Sequence, residues 1–179
     1  MTTRLVSLAA AAFVAIFVLG CGEESTSGGS DGGDQTLRTA FSADPSPLDP
    51  DSYYEAEGLA ITTSVYEGLL QYKPDSDELE GELAETWDVS EDGLTYTFEL
   101  RDDVKFSDGT PFNSEAAKAS LERRADLAAG PSYMVEPIKS ISTPSDTELI
   151  VELKRPVAPF LDYLASPYGP VMVLSLIHI

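Results

Sequence analysis

Hydrophobic and polar positions alternate most clearly between Leu94 and Arg101, where Leu94, Tyr96, Phe98 and Leu100 interleave with Thr95, Thr97, Glu99 and Arg101. A period of two places the apolar set on one face of a β-strand and the polar set on the other. Aromatic and β-branched residues suit such a half-buried pleated surface. Asp92-Gly93 before the run and Asp108-Gly109 after Phe106 are turn dipeptides, because glycine takes positive φ without steric cost. A Cβ at Gly109 is expected to cost on the order of 1–2 kcal/mol if that turn is left-handed. Asn113 then caps a predicted helix starting at Ser114, with Glu115 in the first turn and Arg123 and Arg124 at the far end, each matching the helix dipole. Ala116, Ala119 and Leu121 give this helix a modest apolar stripe. Further on, residues 138–141 and 148–153 read as a second pair of strands around the turn cluster Thr143-Pro144-Ser145-Asp146. Leu149, Val151 and Leu153 share a face, and residues 156–165 lead into a short helix.

Upstream, residues 36–41 alternate as a first strand, and the proline-rich stretch 44–50 excludes helix or central strand. Leu59, Thr62, Thr63, Tyr66 and Leu70 recur at helical spacing, predicting one helix over residues 54–70. Asp75, Asp77, Glu78, Glu80, Glu82 and Glu85 form an acidic stretch. It begins Asp-x-Asp, but Leu79 occupies the next ligand position and the sixth lacks glycine, so the calcium-loop spacing fails and a solvated loop is expected. Residues 126–131 read as a loop, and Trp87 as a buried ring.

The first twenty residues change the picture from a domain to an exported protein. Arg4 precedes an apolar run of about fifteen residues, shorter than the ~20 of a spanning helix, which is the plan of a signal peptide. The run closes on Val18-Leu19-Gly20-Cys21, resembling the box cut by lipoprotein signal peptidase, so Cys21 is the expected lipidation site. A plain signal peptide with an incidental cysteine, or an uncleaved anchor, are the alternatives. Two acyl chains at ~0.8 kcal/mol per buried CH₂ make a lasting anchor. Cys21 is the only cysteine, so no internal disulfide or CxxC site exists. Residues 21–34, rich in Gly, Ser and Asp, form a flexible tether. The folded part is expected over 35–173, room for one ordinary domain. Residues 174–179 resemble translated sequencing-adapter read-through, with a hydrophobic terminal strand as the alternative; His178, the only histidine, therefore receives no role. With 31 acidic against 11 basic side chains and a net charge of −20, nucleic acid is not an expected partner.

Several strings, read in order, go beyond composition. They are Trp87, Ser90-Glu91-Asp92-Gly93, Thr95-Tyr96-Thr97-Phe98, Leu100-Arg101, Val104-Lys105-Phe106 and Asp108-Gly109-Thr110-Pro111-Phe112, together with Tyr66-Glu67-Gly68-Leu69 and Leu83-Ala84. This succession resembles the family 5 extracellular solute-binding proteins, the dipeptide-, oligopeptide- and nickel-binding components of ABC importers; Ser107 departs from the histidine common there. The resemblance implies an α/β fold of the periplasmic-binding-protein type II class, α+β within this stretch, of which residues 37–173 form the N-terminal part of the first lobe. It also implies a monomeric lipoprotein, exported and anchored to the outer face of the cell membrane or periplasmic, that passes a peptide or related small solute to ABC permease subunits. By position in the family, Ser42, Ala43 and Asp44 line the ligand cleft, or else form a rigid surface loop. Tyr66 either faces the ligand or fills the core. No cofactor or metal is implied. A sensing lipoprotein of the same fold is the second reading. An exported hydrolase is the third, disfavoured because no Ser-His or Cys-His pair can be assembled. A chain ending near 179 is expected to lack the opposing lobe and so to bind no peptide by itself.

Overall fold

The computed structural model describes residues 40, 49–52 and 54–173. The expected strand at 36–41, apart from Ala40, and the tether lie outside the described residues, as do Cys21, Ser42, Ala43, Asp44 and His178.

The alternating run forms β4 (Thr95–Leu100), with Tyr96, Phe98 and Leu100 buried. It pairs antiparallel with β3 (Ala84–Val89) on one side and β6 (Glu148–Leu153) on the other, in the registers Trp87↔Phe98 and Phe98↔Leu149. β5 (Ile138–Ser142) completes a four-stranded sheet of order β3-β4-β6-β5. Tyr96, Phe98 and Leu100 thus share one face with Leu149, Val151 and Leu153. That face meets Leu121, Phe160 and Leu164 in the core, and the Tyr96 and Phe160 rings meet edge to face at 4.8 Å. The other face carries Thr97, Glu99, Glu152 and their neighbours. A separate two-stranded ribbon joins β1 (Leu70–Tyr72) to β2 (Leu79–Gly81). Trp87 is half-buried rather than enclosed, because among the described residues β3 is an edge strand of the sheet.

The turns follow their dipeptides. Gly93 and Gly109 stand at φ +67° and +90°, the region a Cβ disfavours. Nothing lies near a Cβ built at Gly109, so a substitution there meets backbone strain alone. The helix α2 (Ser114–Leu127) begins where expected, the Asn113 side chain accepting from the Ala116 N–H. It runs two residues into the expected 126–131 loop and stops at Ala128, which is left-handed at φ 47°. Its buried stripe is Ser114, Ala117, Ser120, Leu121 and Arg124; of the expected stripe Leu121 is buried, Ala116 half-buried and Ala119 exposed. Ser120 Oγ accepts from the Val173 N–H at 3.1 Å, which ties the end of the described chain to α2.

The helix expected over 54–70 is only α1 (Ala56–Thr62). Thr62 and Thr63 hydroxyls both donate to the Leu59 carbonyl, and Ser64 to that of Ala60. Hydroxyls bonding back in this way, beside β-branched Val65, compete with continued helix. The chain then straightens to place Gly68 opposite Val171 and Leu70 in β1. Ser132–Met134 form a 3₁₀ turn, and α3 (Phe160–Ala165) follows β6.

Candidate functional site

Residues 67–70 are stitched between two other segments. Glu67 O accepts from Met172 N–H, Gly68 O from Leu83 N–H, and Leu69 O from both Glu82 and Ala84 N–H. This fixes Tyr66, half-buried, between a hollow of 280 Å³ on one side and one of 580 Å³ on the other; both are lined by Thr63, Tyr66 and Glu82. Tyr66 is therefore neither on a helix nor fully in the core. Glu82 is a correction too: it is not part of a solvated loop. Its Oε2 accepts from the Gly68 N–H at 2.7 Å. Burial pushes its carboxyl above the ordinary range, and Glu67 adds to this, while the Gly68 bond opposes it. Asp75, Asp77 and Glu78 do stay exposed, and Glu78 pairs with Lys73 at 2.7 Å.

Four tyrosines from separate segments meet beside the smaller hollow. Tyr54 precedes α1, Tyr133 lies in the 3₁₀ turn, Tyr163 is on α3 and Tyr168 follows it. The Tyr54 and Tyr168 ring centroids are 4.9 Å apart. The Tyr54 and Tyr133 hydroxyls approach to 3.5 Å, and the Tyr133 and Tyr163 rings stand nearly perpendicular at 5.9 Å. Tyr54 and Tyr133 remain 54% and 50% exposed, so this surface offers ring faces and hydroxyls to solvent. Tyr168 also lines the 280 Å³ hollow. Rigid aromatics with a polar tip supply much contact area at little entropic cost, which is why they concentrate on recognition surfaces.

A buried ion network braces this surface from below. Arg124, 1% exposed, donates through Nε to Asp51 Oδ1 at 2.9 Å, and through Nη1 and Nη2 to the Tyr168 and Pro50 carbonyls. Arg123 grips both oxygens of Asp49, at 3.0 and 2.6 Å, and also meets Asp51. Asp51 is fully buried. The Arg123 bond holds the Asp49 carboxyl below its ordinary range against the opposing effect of burial. These arginines are thus structural partners of the 49–52 segment and not simply complements to a helix dipole. The bond to Tyr168 O links the network to the tyrosine surface.

Sequence reasoning singled out Tyr66 and missed Glu82, Tyr54, Tyr133, Tyr163 and Tyr168. A signal for the tyrosines exists: each sits in or beside a Pro-, Gly- or Ser-containing loop, outside any strand stripe that would bury it. Among the described residues no group of three or more His, Cys, Asp or Glu side chains gathers to hold a metal. No helix among them is long and apolar enough to cross a membrane. The arrangement offers aromatic faces, hydroxyls and one carboxylate to a ligand.

The family model described as bacterial extracellular solute-binding proteins, family 5 Middle, matches residues 78–174. The chain is 38% identical over 128 residues to the "Probable D,D-dipeptide-binding periplasmic protein DdpA" of Escherichia coli, covering 69% of this chain and 25% of that protein. It is 38% identical over 133 residues to the nickel-binding periplasmic protein of the same species, covering 73% and 25%. The chain therefore spans about a quarter of the length of the curated relatives it matches. Among solved structures, NikZ from Campylobacter jejuni in complex with Ni(L-His) superposes with a TM-score of 0.66 at 28% identity, over 75% of this chain and 27% of that one. DppA from Helicobacter pylori, in complex with peptide STSA, gives 0.64 at 31% identity, over 73% and 29%.

Proposed function

The chain belongs to the bacterial extracellular solute-binding proteins, family 5, and on that premise we propose that it forms part of the ligand-binding face of an importer's exported receptor. The family is one of binding proteins, not enzymes, and the fold is of the type II periplasmic class named by the resemblance. The ligand is a peptide or related small solute, captured outside the membrane and passed to ABC permease subunits. Relatives and neighbours whose names carry a dipeptide, nickel and a bound peptide support this range.

The observation that carries the reading is the convergence of Tyr54, Tyr133, Tyr163 and Tyr168 from separate segments into one solvent-facing surface. A thermal-shift panel of peptides, sugars and nickel chelates, run on the protein at its relatives' full length, tests it, since a ligand at 100 times its Kd stabilises by about 2.7 kcal/mol. One class is expected to raise the melting temperature. Tyr133→Ala and Tyr168→Ala are each expected to weaken that ligand by about tenfold or more, as buried aromatic anchors do. A ligand that binds both variants like the parent would remove the tyrosine surface from the site.

The domain plan belongs to the same proposal: a leader over 1–20, a tether over 21–34 carrying lipid on Cys21, and the solute-binding part over 35–173. The Gly20-Cys21 step at the end of the apolar run supports the lipid anchor. Labelled palmitate is expected to enter the chain in a bacterium and to be absent from Cys21→Ala; equal label in both would exclude lipidation there.

A further inference from the structure

The 280 Å³ hollow has an unbalanced electrostatic character. Among its described lining residues Glu82 is the only charged side chain, and Tyr66, Tyr72 and Tyr168 supply aromatic wall. No described lysine or arginine pairs with Glu82; the ion pairs of the described residues involve other carboxylates. Its Oε2 is held by the Gly68 N–H, and among the described residues no hydrogen bond to Oε1 is seen. The absence of a side chain at Gly68 gathers oxygen there: Glu82 Oε2 and the carbonyls of Leu164 and Leu70 each stand 3.4 Å from the point a Cβ would take. A half-buried carboxylate without a counter-ion, in an aromatic-lined hollow, favours a cation that is itself partly apolar.

We propose that this hollow binds an organic ammonium group, with Glu82 as its counter-ion and the tyrosine rings as its walls. The inference rests on the ligand-bearing reading of the neighbouring surface, which shares Tyr168 with the hollow, and adds the charge class of what that surface receives. A hard metal ion is disfavoured because it needs six or more oxygen ligands with several carboxylates, and only Glu82 lines the space. The volume lies just below the range of about 300–1,000 Å³ usual for ligand pockets, which selects a small cation.

Calorimetry on the full chain at neutral pH tests the inference with choline and its uncharged carbon isostere, 3,3-dimethyl-1-butanol. Choline is expected to bind saturably, with the isostere weaker by about tenfold or more, which corresponds to loss of one ionic contact. Glu82→Gln, with an unchanged melting curve, is expected to weaken choline by about the same factor. Equal binding of choline and the isostere overturns the inference, as does undiminished choline binding by a folded Glu82→Gln chain or no choline binding up to about 10 mM. If Glu82→Gln does not fold, the choline-to-isostere ratio of the parent chain decides alone. Choline failing while another solute binds in a Tyr133-dependent way removes this inference only. Failure of every solute removes the reading beneath it.

Discussion

Arg124→Met is expected to lower the free energy of unfolding by about 3–5 kcal/mol, the cost of leaving a buried charge without its partner. Met keeps much of the side-chain volume, so the loss comes from polar groups. Asp51, fully buried, loses its bond to Nε, and the carbonyls of Tyr168 and Pro50 lose their donors. For a domain stable by ~5–15 kcal/mol this is a large share of the total. Urea unfolding of parent and variant reads it. Asp51→Leu combined with Arg124→Met should cost less than the sum of the two single changes, because both charges then leave together. A single-variant change below about 1 kcal/mol would mean that water or Arg123 replaces the lost contact at little cost. Acid acts on the same network through Asp49. Its folded-state pKa is depressed, so its stabilisation is present above the unfolded-state carboxylate range and is lost as pH falls through the lower folded value.

Phe98→Ala should cost a similar 3–5 kcal/mol, by a different mechanism. Phe98 is fully enclosed at the centre of the sheet, between Trp87 of β3 and Leu149 of β6. Deleting the ring removes transfer free energy and leaves a cavity that two flanking strands cannot close. Thr97→Ala, one position away on the polar face, is the control and should stay within about 0.5 kcal/mol. If the two substitutions cost the same, the buried face has been assigned to the wrong side of the strand.

What could be read from the sequence was whatever repeats or caps locally. The period of two gave β4 and β6 their faces, Asn113 gave α2 its start, and the Asp-Gly pairs gave two turns with positive φ. Contacts between distant residues left weaker traces. The α1 helix was read too long because apolar spacing persisted through Tyr66, although the hydroxyl run 62–64 bends the backbone away. Arg124 did carry a signal. It follows Ala117 and Leu121 at helical spacing, so an arginine on the buried stripe required an acid from elsewhere. Which acid could not be deduced, since Asp49 and Asp51 lie more than 70 positions away. The tyrosine surface was hidden for the same reason: its members come from separate segments with no shared period.

The span of the ion network also has a kinetic meaning. The hairpins β3–β4 and β5–β6 close short loops and gain ladder bonds at once. Joining Asp49 and Asp51 to α2 closes loops of 72 to 74 residues, and that chain entropy is lost before any contact repays it. The 49–52 segment is therefore expected to join late, after the sheet and α2 have formed. Tyr168 takes its brace from Arg124, the α2 residue that also holds Asp51, so the tyrosine surface is expected to settle together with that joint.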